Sequence, residues 1–223
     1  MSTQSVNLDD AEISAIVTSR KSVVDCHIQN FLSNRNNVRK VIGLDVELTM
    51  IEDDSEETED WHRGKNSKRA VNQHTEETKE EDSKMKSQVA ILQLCDGDES
   101  LIVQLALLDS MPNSLLNFLQ IPDFSFVGVG IKDCVAKLER DYGLGCKNAV
   151  DLGKLAASVM QMPHLAACGL DLLGHTIAPM KLDKPSSVVF SDWGKVTLNK
   201  KQIKFAATNC FAYFKIGNKL LWG

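Results

Sequence analysis

The chain has 223 residues, 43% hydrophobic and 25% charged, the composition of an ordinary globular protein of one large or two small domains; a wholly disordered chain, a collagen-like repeat and a disulfide scaffold are excluded. No apolar run approaches the roughly 18 residues of a spanning helix, and MSTQSVNLDDAE has neither the basic nor the apolar stretch of a secretory signal; the expectation is an intracellular protein, cytoplasmic or nuclear, with no membrane partner. The net charge of -5 is concentrated in residues 52–86, which hold twelve acids against seven bases, so an anionic ligand remains open provided its basic patch is local.

In chain order, AEISAIVTSR and SVVDCHIQNF read as an N-terminal hairpin. VIGLDVELTM (41–50) alternates as a strand, with Ile42, Leu44, Val46, Leu48 and Met50 on one face and Val41, Gly43, Asp45 and Glu47 on the other. The acidic segment 52–86 has too few large apolar residues to offset its ordering entropy and reads as a loop inserted into a single domain spanning 1–223. QVAILQLC, the turn DGDE and SLIVQL read as an antiparallel hairpin. SLLNFLQ (114–120) follows as a helix and FSFVGVG (124–130) as a strand. KDCVAKLERDYG is an amphipathic helix ending at Gly143, NAVDL a last strand and GKLAASVM a helix. Three meandering strands followed by strand, helix, strand, helix predict an α/β fold with a mixed sheet.

Residues 198–221 carry the longest helical pattern. At 100° per residue Lys201, Lys204, Lys215 and Lys219 form one stripe, while Ile203, Ala207, Cys210 and Phe214 lie opposite. A third sector holds Phe205, Asn209, Tyr213, Ile216 and Leu220, so Asn209 is a polar residue on an apolar sector and needs a partner.

The six cysteines form no CxxC pair and the five histidines no HxxxH or HExxH spacing, so free thiols and no structural zinc are expected. In GVGIKD, Asp133 stands where GxGxxG requires its third glycine and would repel a pyrophosphate, which argues against a dinucleotide site. Asp45 and Glu47 alone are weak candidates, since two acids on a strand face are more often solvated than metal-binding.

The conjunction is more specific: GLDVE, GVGIKDCVAKLERDYG, GLDLL and KPSSVVFSDWGKVTLNKKQIKFAATNCFAYF occur in that order. From about residue 38 to 221 the chain resembles the DEDD-superfamily (DnaQ-like) 3'-5' exonucleases of the ribonuclease H-like fold, in particular the Werner syndrome exonuclease domain and the small plant RISC-interacting clearing exoribonucleases. The resemblance implies a mixed five-stranded sheet flanked by helices, here with the extra N-terminal hairpin. It implies four carboxylates holding two divalent ions, Mg2+ or Mn2+, roughly 3.5–4 Å apart, and a tyrosine orienting the attacking water. Asp45 and Glu47 match the first motif and are the expected metal ligands. Cys134 falls at the second-motif aspartate, with Asp133 one position early, while Phe205 takes the tyrosine position and Asn209 the final aspartate. The implied function is 3'-5' degradation of single-stranded RNA or DNA, RNA favoured, impaired at Cys134, Phe205 and Asn209. The alternative is an inactive pseudo-exonuclease that binds nucleic acid or serves as a ring subunit. A homo-oligomer, as a hexameric ring, and RNA-silencing proteins are the partners implied. An Asn209 amide hydrogen bond to Asp45 is expected to replace the metal.

Overall fold

The computed structural model describes residues 1–7, 11–52 and 85–221. Among these, seven strands form one sheet: β1 (Ser2–Asn7), β2 (Glu12–Thr18), β3 (Val41–Glu52), β4 (Met85–Cys95), β5 (Glu99–Gln104), β6 (Ser125–Gly128) and β7 (Ala149–Asp151), in the order β1-β2-β5-β4-β3-β6-β7. The helices are α1 (Lys21–Ser33), α2 (Asn113–Leu119), α3 (Ile131–Tyr142), α4 (Leu152–Val159), α5 (Leu170–Ile177), α6 (Ser186–Val189) and α7 (Lys200–Leu220). Strands β5-β4-β3 form an antiparallel meander, and β6 and β7 continue from β3 in parallel. This is the expected five-stranded mixed sheet, and the N-terminal hairpin β1-β2 extends it through a parallel pairing of β2 with β5.

The hairpin uses different segments from those expected. Its first strand is Ser2–Asn7, while SVVDCHIQNF lies within α1. Val24, Ile28 and Phe31 are the buried residues of that helix; their spacing of four and three is the helical period, which outweighs the β-branched pair Val23 and Val24. The expected insertion 52–86 falls almost entirely outside the described residues. Its ends do not: Glu52 closes β3 and pairs with Met85 at the start of β4.

The alternation of β3 divides the core. Ile42, Leu44 and Val46 pack with α1, α2 and α3 residues such as Ile28, Phe118 and Leu138, whereas Val41 joins the layer containing α5 and α7. Gly43 faces α7 so closely that a Cβ there would lie 2.1 Å from the Cys210 carbonyl oxygen and 3.0 Å from the Phe214 amide nitrogen. Glycine is required because the opposing atoms are backbone and cannot give way. The Cys210 thiol donates to the Gly43 carbonyl at 3.1 Å in the same crossing.

A β-bulge follows Glu47, where the register with β4 shifts so that Glu47 opposes Ile91 and Leu48 opposes Val89. Around it, side chains of α3 bond the strand backbone: Asp141 accepts the Val89 N–H at 2.8 Å, and the Tyr142 hydroxyl donates to the Val89 carbonyl at 2.7 Å. The Asp-Tyr-Gly end of α3 is thereby fastened to the strand beside Glu47, and Gly143, with φ 66°, terminates the helix in the left-handed conformation.

Candidate active site

Three elements converge on the outer half of β3. The strand supplies Asp45 and Glu47, two residues apart and so on one face, the face that Gly43 presents to α7. Helix α7 is set in place at its start by a capping box, in which Asn199 accepts the Lys201 and Gln202 N–H groups and the Gln202 side chain accepts the Asn199 N–H. Gln202 also donates to the Ser191 hydroxyl and the Asp192 carbonyl at 2.9 and 3.0 Å, and Asp192 accepts from Thr49 of β3 at 3.3 Å. The SDWG segment thus ties the start of α7 to β3, with Trp193 buried beneath it and tilted against Phe205 at 6.2 Å between ring centroids.

Asp45 and Glu47 keep part of their surface open yet are crowded by protein, as at the floor of a cleft. Burial therefore dominates both titrations. The Asp45 carboxyl is pushed up to about 6, against hydrogen bonds from the Val46 N–H at 2.9 Å and the Tyr213 hydroxyl and the positive charge of Lys184. Glu47 is pushed up to about 8 by burial and then by the charge of Asp45. The Tyr213 hydroxyl is raised well above the ordinary phenol range by burial and the Asp45 charge.

Cys134, the fourth residue of α3, sits close enough for Asp45 and Glu47 to affect it; burial first, then the Asp45 charge, push its thiol up to about 12. Asp133 is exposed, one position and hence about 100° around the helix from Cys134. On α7, Phe205 and Asn209 are both buried, at 9% and 6% exposure. The expected hydrogen bond from Asn209 to Asp45 does not form: among the described residues the Asn209 side chain has no hydrogen-bond partner, and Tyr213, one turn further along the helix, reaches Asp45 instead.

Sequence reasoning missed three residues of this site. Tyr213 was visible only as a member of the same helical sector as Asn209. Lys184, ion-paired with Asp171 at 2.8 Å, brings its charge to Asp45 from the loop before α6. Gln93 of β4 is the cross-strand partner of Asp45, fully buried, with neither end of its amide hydrogen-bonded; no local sequence signal marks it.

The donors present do not fit a pair of hard divalent ions. Among the described residues no three His, Cys, Asp or Glu side chains form a metal-holding group. Asp45 and Glu47 are suitable oxygen donors once ionised, but a protonated thiol is a soft and poor ligand for Mg2+ or Mn2+, and Asn209 has only a neutral carbonyl to offer.

The model of a family described as 3'-5' exonuclease matches residues 48–222, more than three quarters of the chain. The chain belongs to that family. The matched region begins just after Glu47, so Asp45 and Glu47 stand immediately before it. A 3'-5' exonuclease of Arabidopsis thaliana is 30% identical over 124 residues, covering 56% of this chain and 42% of that protein. Human exonuclease 3'-5' domain-containing protein 2 is 35% identical over 100 residues, 44% of this chain and 16% of that one. The mouse bifunctional exonuclease and helicase WRN is 27% identical over 138 residues, 60% and 10% of the two chains. The chain thus spans less than half the length of these curated relatives.

Solved structures of family-like domains share the fold. Escherichia coli RNase D superposes with a TM-score of 0.64 at 16% identity over 93% of this chain and 44% of its own. The Aedes aegypti Nibbler EXO domain gives a TM-score of 0.64 at 13% identity over 97% and 90%.

Proposed function

We propose that this chain acts on the 3' end of single-stranded nucleic acid, RNA in preference to DNA, with the phosphodiester hydrolysis of its family impaired. The observation that carries the reading is the company Asp45 keeps: the Tyr213 hydroxyl and the Cys134 thiol bear on it, and the one acid coupled to it along the same face is Glu47. Exonucleolysis of this kind needs enough negative charge to hold two cations against substrate phosphate; two carboxylates whose burial favours the protonated form supply little of it. The cleft can still hold a strand end by hydrogen bonding and stacking without cutting.

Degradation of 3'- and 5'-labelled RNA and DNA oligonucleotides with Mg2+ or Mn2+ tests this reading. The wild type is expected to cut weakly or not at all, and the variant Cys134→Asp, Phe205→Tyr, Asn209→Asp to shorten the strand from its 3' end. Vigorous wild-type cutting that Asp45→Ala abolishes would overturn the impairment. Failure of the restored variant to cut would overturn the assignment of the impairment to Cys134, Phe205 and Asn209.

Self-association belongs to the same proposal. Phe190 and Val196, in the segment that leads into α7, are 87% and 78% exposed, apolar surface of the kind that subunit contacts cover. Sedimentation of wild type beside Phe190→Ser is the check; a wild-type monomer would remove this part.

A further inference from the structure

The lysine stripe of α7 is only half used by the fold. Lys219 donates to the Ile177 carbonyl at 2.7 Å, and Lys215 lies over the Phe211 ring at 5.6 Å. Lys201 and Lys204 instead line a cavity of about 430 Å³, joined there by Lys181 from the loop after α5. Among the described residues none of these three ammonium groups has a hydrogen bond or ion pair. One acid, Asp183, shares the lining, and Met180 and Phe205 provide apolar wall. The volume is that of a small-molecule pocket, and three cations against one anion make it the local basic patch that an acidic protein needs if it is to bind an anion.

The cavity adjoins the candidate active site without containing it. Phe205 lines the cavity and packs on Trp193, while Lys184, between the lining residues Asp183 and Pro185, is charge-coupled to Asp45. Neither Asp45 nor Glu47 takes part in the lining.

We propose that this cavity is a nucleotide-binding pocket, in which Lys201 and Lys204 take a phosphate and the wall formed with Phe205 and Met180 receives the base or sugar. It rests on the nucleic-acid reading above and deepens it: a strand engaged at Asp45 is held at a second point by charge, independently of any metal. Loss of the family's carboxylates leaves this pocket intact, so binding and cutting are separable.

The test is fluorescence anisotropy of a short 5'-fluorescein-labelled oligoadenylate, in EDTA, across a salt series. The full chain is compared with Lys201→Glu/Lys204→Glu and with a control pair of equal charge change, Lys147→Glu/Lys154→Glu, whose lysines are exposed elsewhere. Loss of two phosphate contacts should weaken binding about tenfold or more at low salt and lower the slope of log K against log salt by about 1.4. Competition by AMP separates the sources: AMP that displaces the strand from wild type identifies a pocket open to free nucleotides, and AMP that does not identifies a pocket for a nucleotide within a strand. Equal weakening by the control pair, or no binding of oligonucleotide or AMP to wild type, would overturn the proposal. Anisotropy in EDTA reads binding without cutting, so failure of the cutting assays leaves this result standing and the reverse.

Discussion

Replacing Glu47 by Gln isolates the electrostatic cost of the cleft. Burial and the neighbouring Asp45 raise the Glu47 carboxyl from 4.5 to about 8, so between those values the folded protein keeps a proton that the unfolded chain has already lost. The folded state then binds more protons, and stability falls as pH rises through that window. At 1.36 kcal/mol per pKa unit, going from pH 5 to pH 8 removes about 3 kcal/mol through this one group. For a chain of this size that is about 6–12 °C in the melting midpoint. Gln cannot ionise, so Glu47→Gln should lose that part of the slope and be the more stable protein at pH 8 while matching wild type near pH 5. The assay is urea unfolding of both proteins in EDTA at pH 5, 6, 7 and 8. Other titrating groups are common to both, and the difference between the two curves isolates residue 47. Parallel curves would refute the argument, since they would mean that Glu47 is well solvated in the folded state.

Because cation binding requires Asp45 and Glu47 ionised, apparent affinity for Mg2+ or Mn2+ should rise with pH, about tenfold per unit while one proton is displaced; calorimetry showing a flat affinity between pH 6 and 8 would contradict the raised pKa values. Gln93→Leu removes a buried amide with neither end paired and should raise the urea midpoint by an equivalent of about 1–3 kcal/mol; a loss of stability would mean that the amide has a partner such as bound water. Gly43→Ala places a methyl 2.1 Å from the Cys210 carbonyl oxygen and should cost about 3 kcal/mol or more, with much of the protein insoluble; wild-type unfolding would mean that α7 does not lie so close to β3.

Much of the sheet was legible because strand and helix periodicities are local. The alternation of residues 41–48 put Asp45 and Glu47 on one face before any fold was known, and the turn DGDE with its flanking runs marked β4 and β5. The motif GVGIKDCVAKLERDYG located α3 with its terminal glycine, and the long pattern after residue 198 located α7. The stretch before β3 was less legible. Residues 22–31 contain a β-branched pair that suits a strand, and the helix wins because Val24, Ile28 and Phe31 find a common core. Likewise the bulge after Glu47 depends on β4 and α3 meeting β3, which no window along the chain contains.

The site shows the same division. Residue types are properties of the chain, so the sequence alone put Asp45 and Glu47 together on one strand face, and its resemblance to the exonucleases raised the expectation that Cys134, Phe205 and Asn209 stand at the remaining catalytic positions. Which of them meets Asp45 depends on where α7 crosses β3. That crossing is set by the backbone contact at Gly43, and it brings Tyr213 rather than Asn209 into hydrogen-bonding reach. The raised carboxyls, the unpaired Gln93 amide and the cavity at Lys201 and Lys204 are likewise products of tertiary structure, because desolvation and charge coupling are sums over atoms that are distant along the chain and adjacent only after folding.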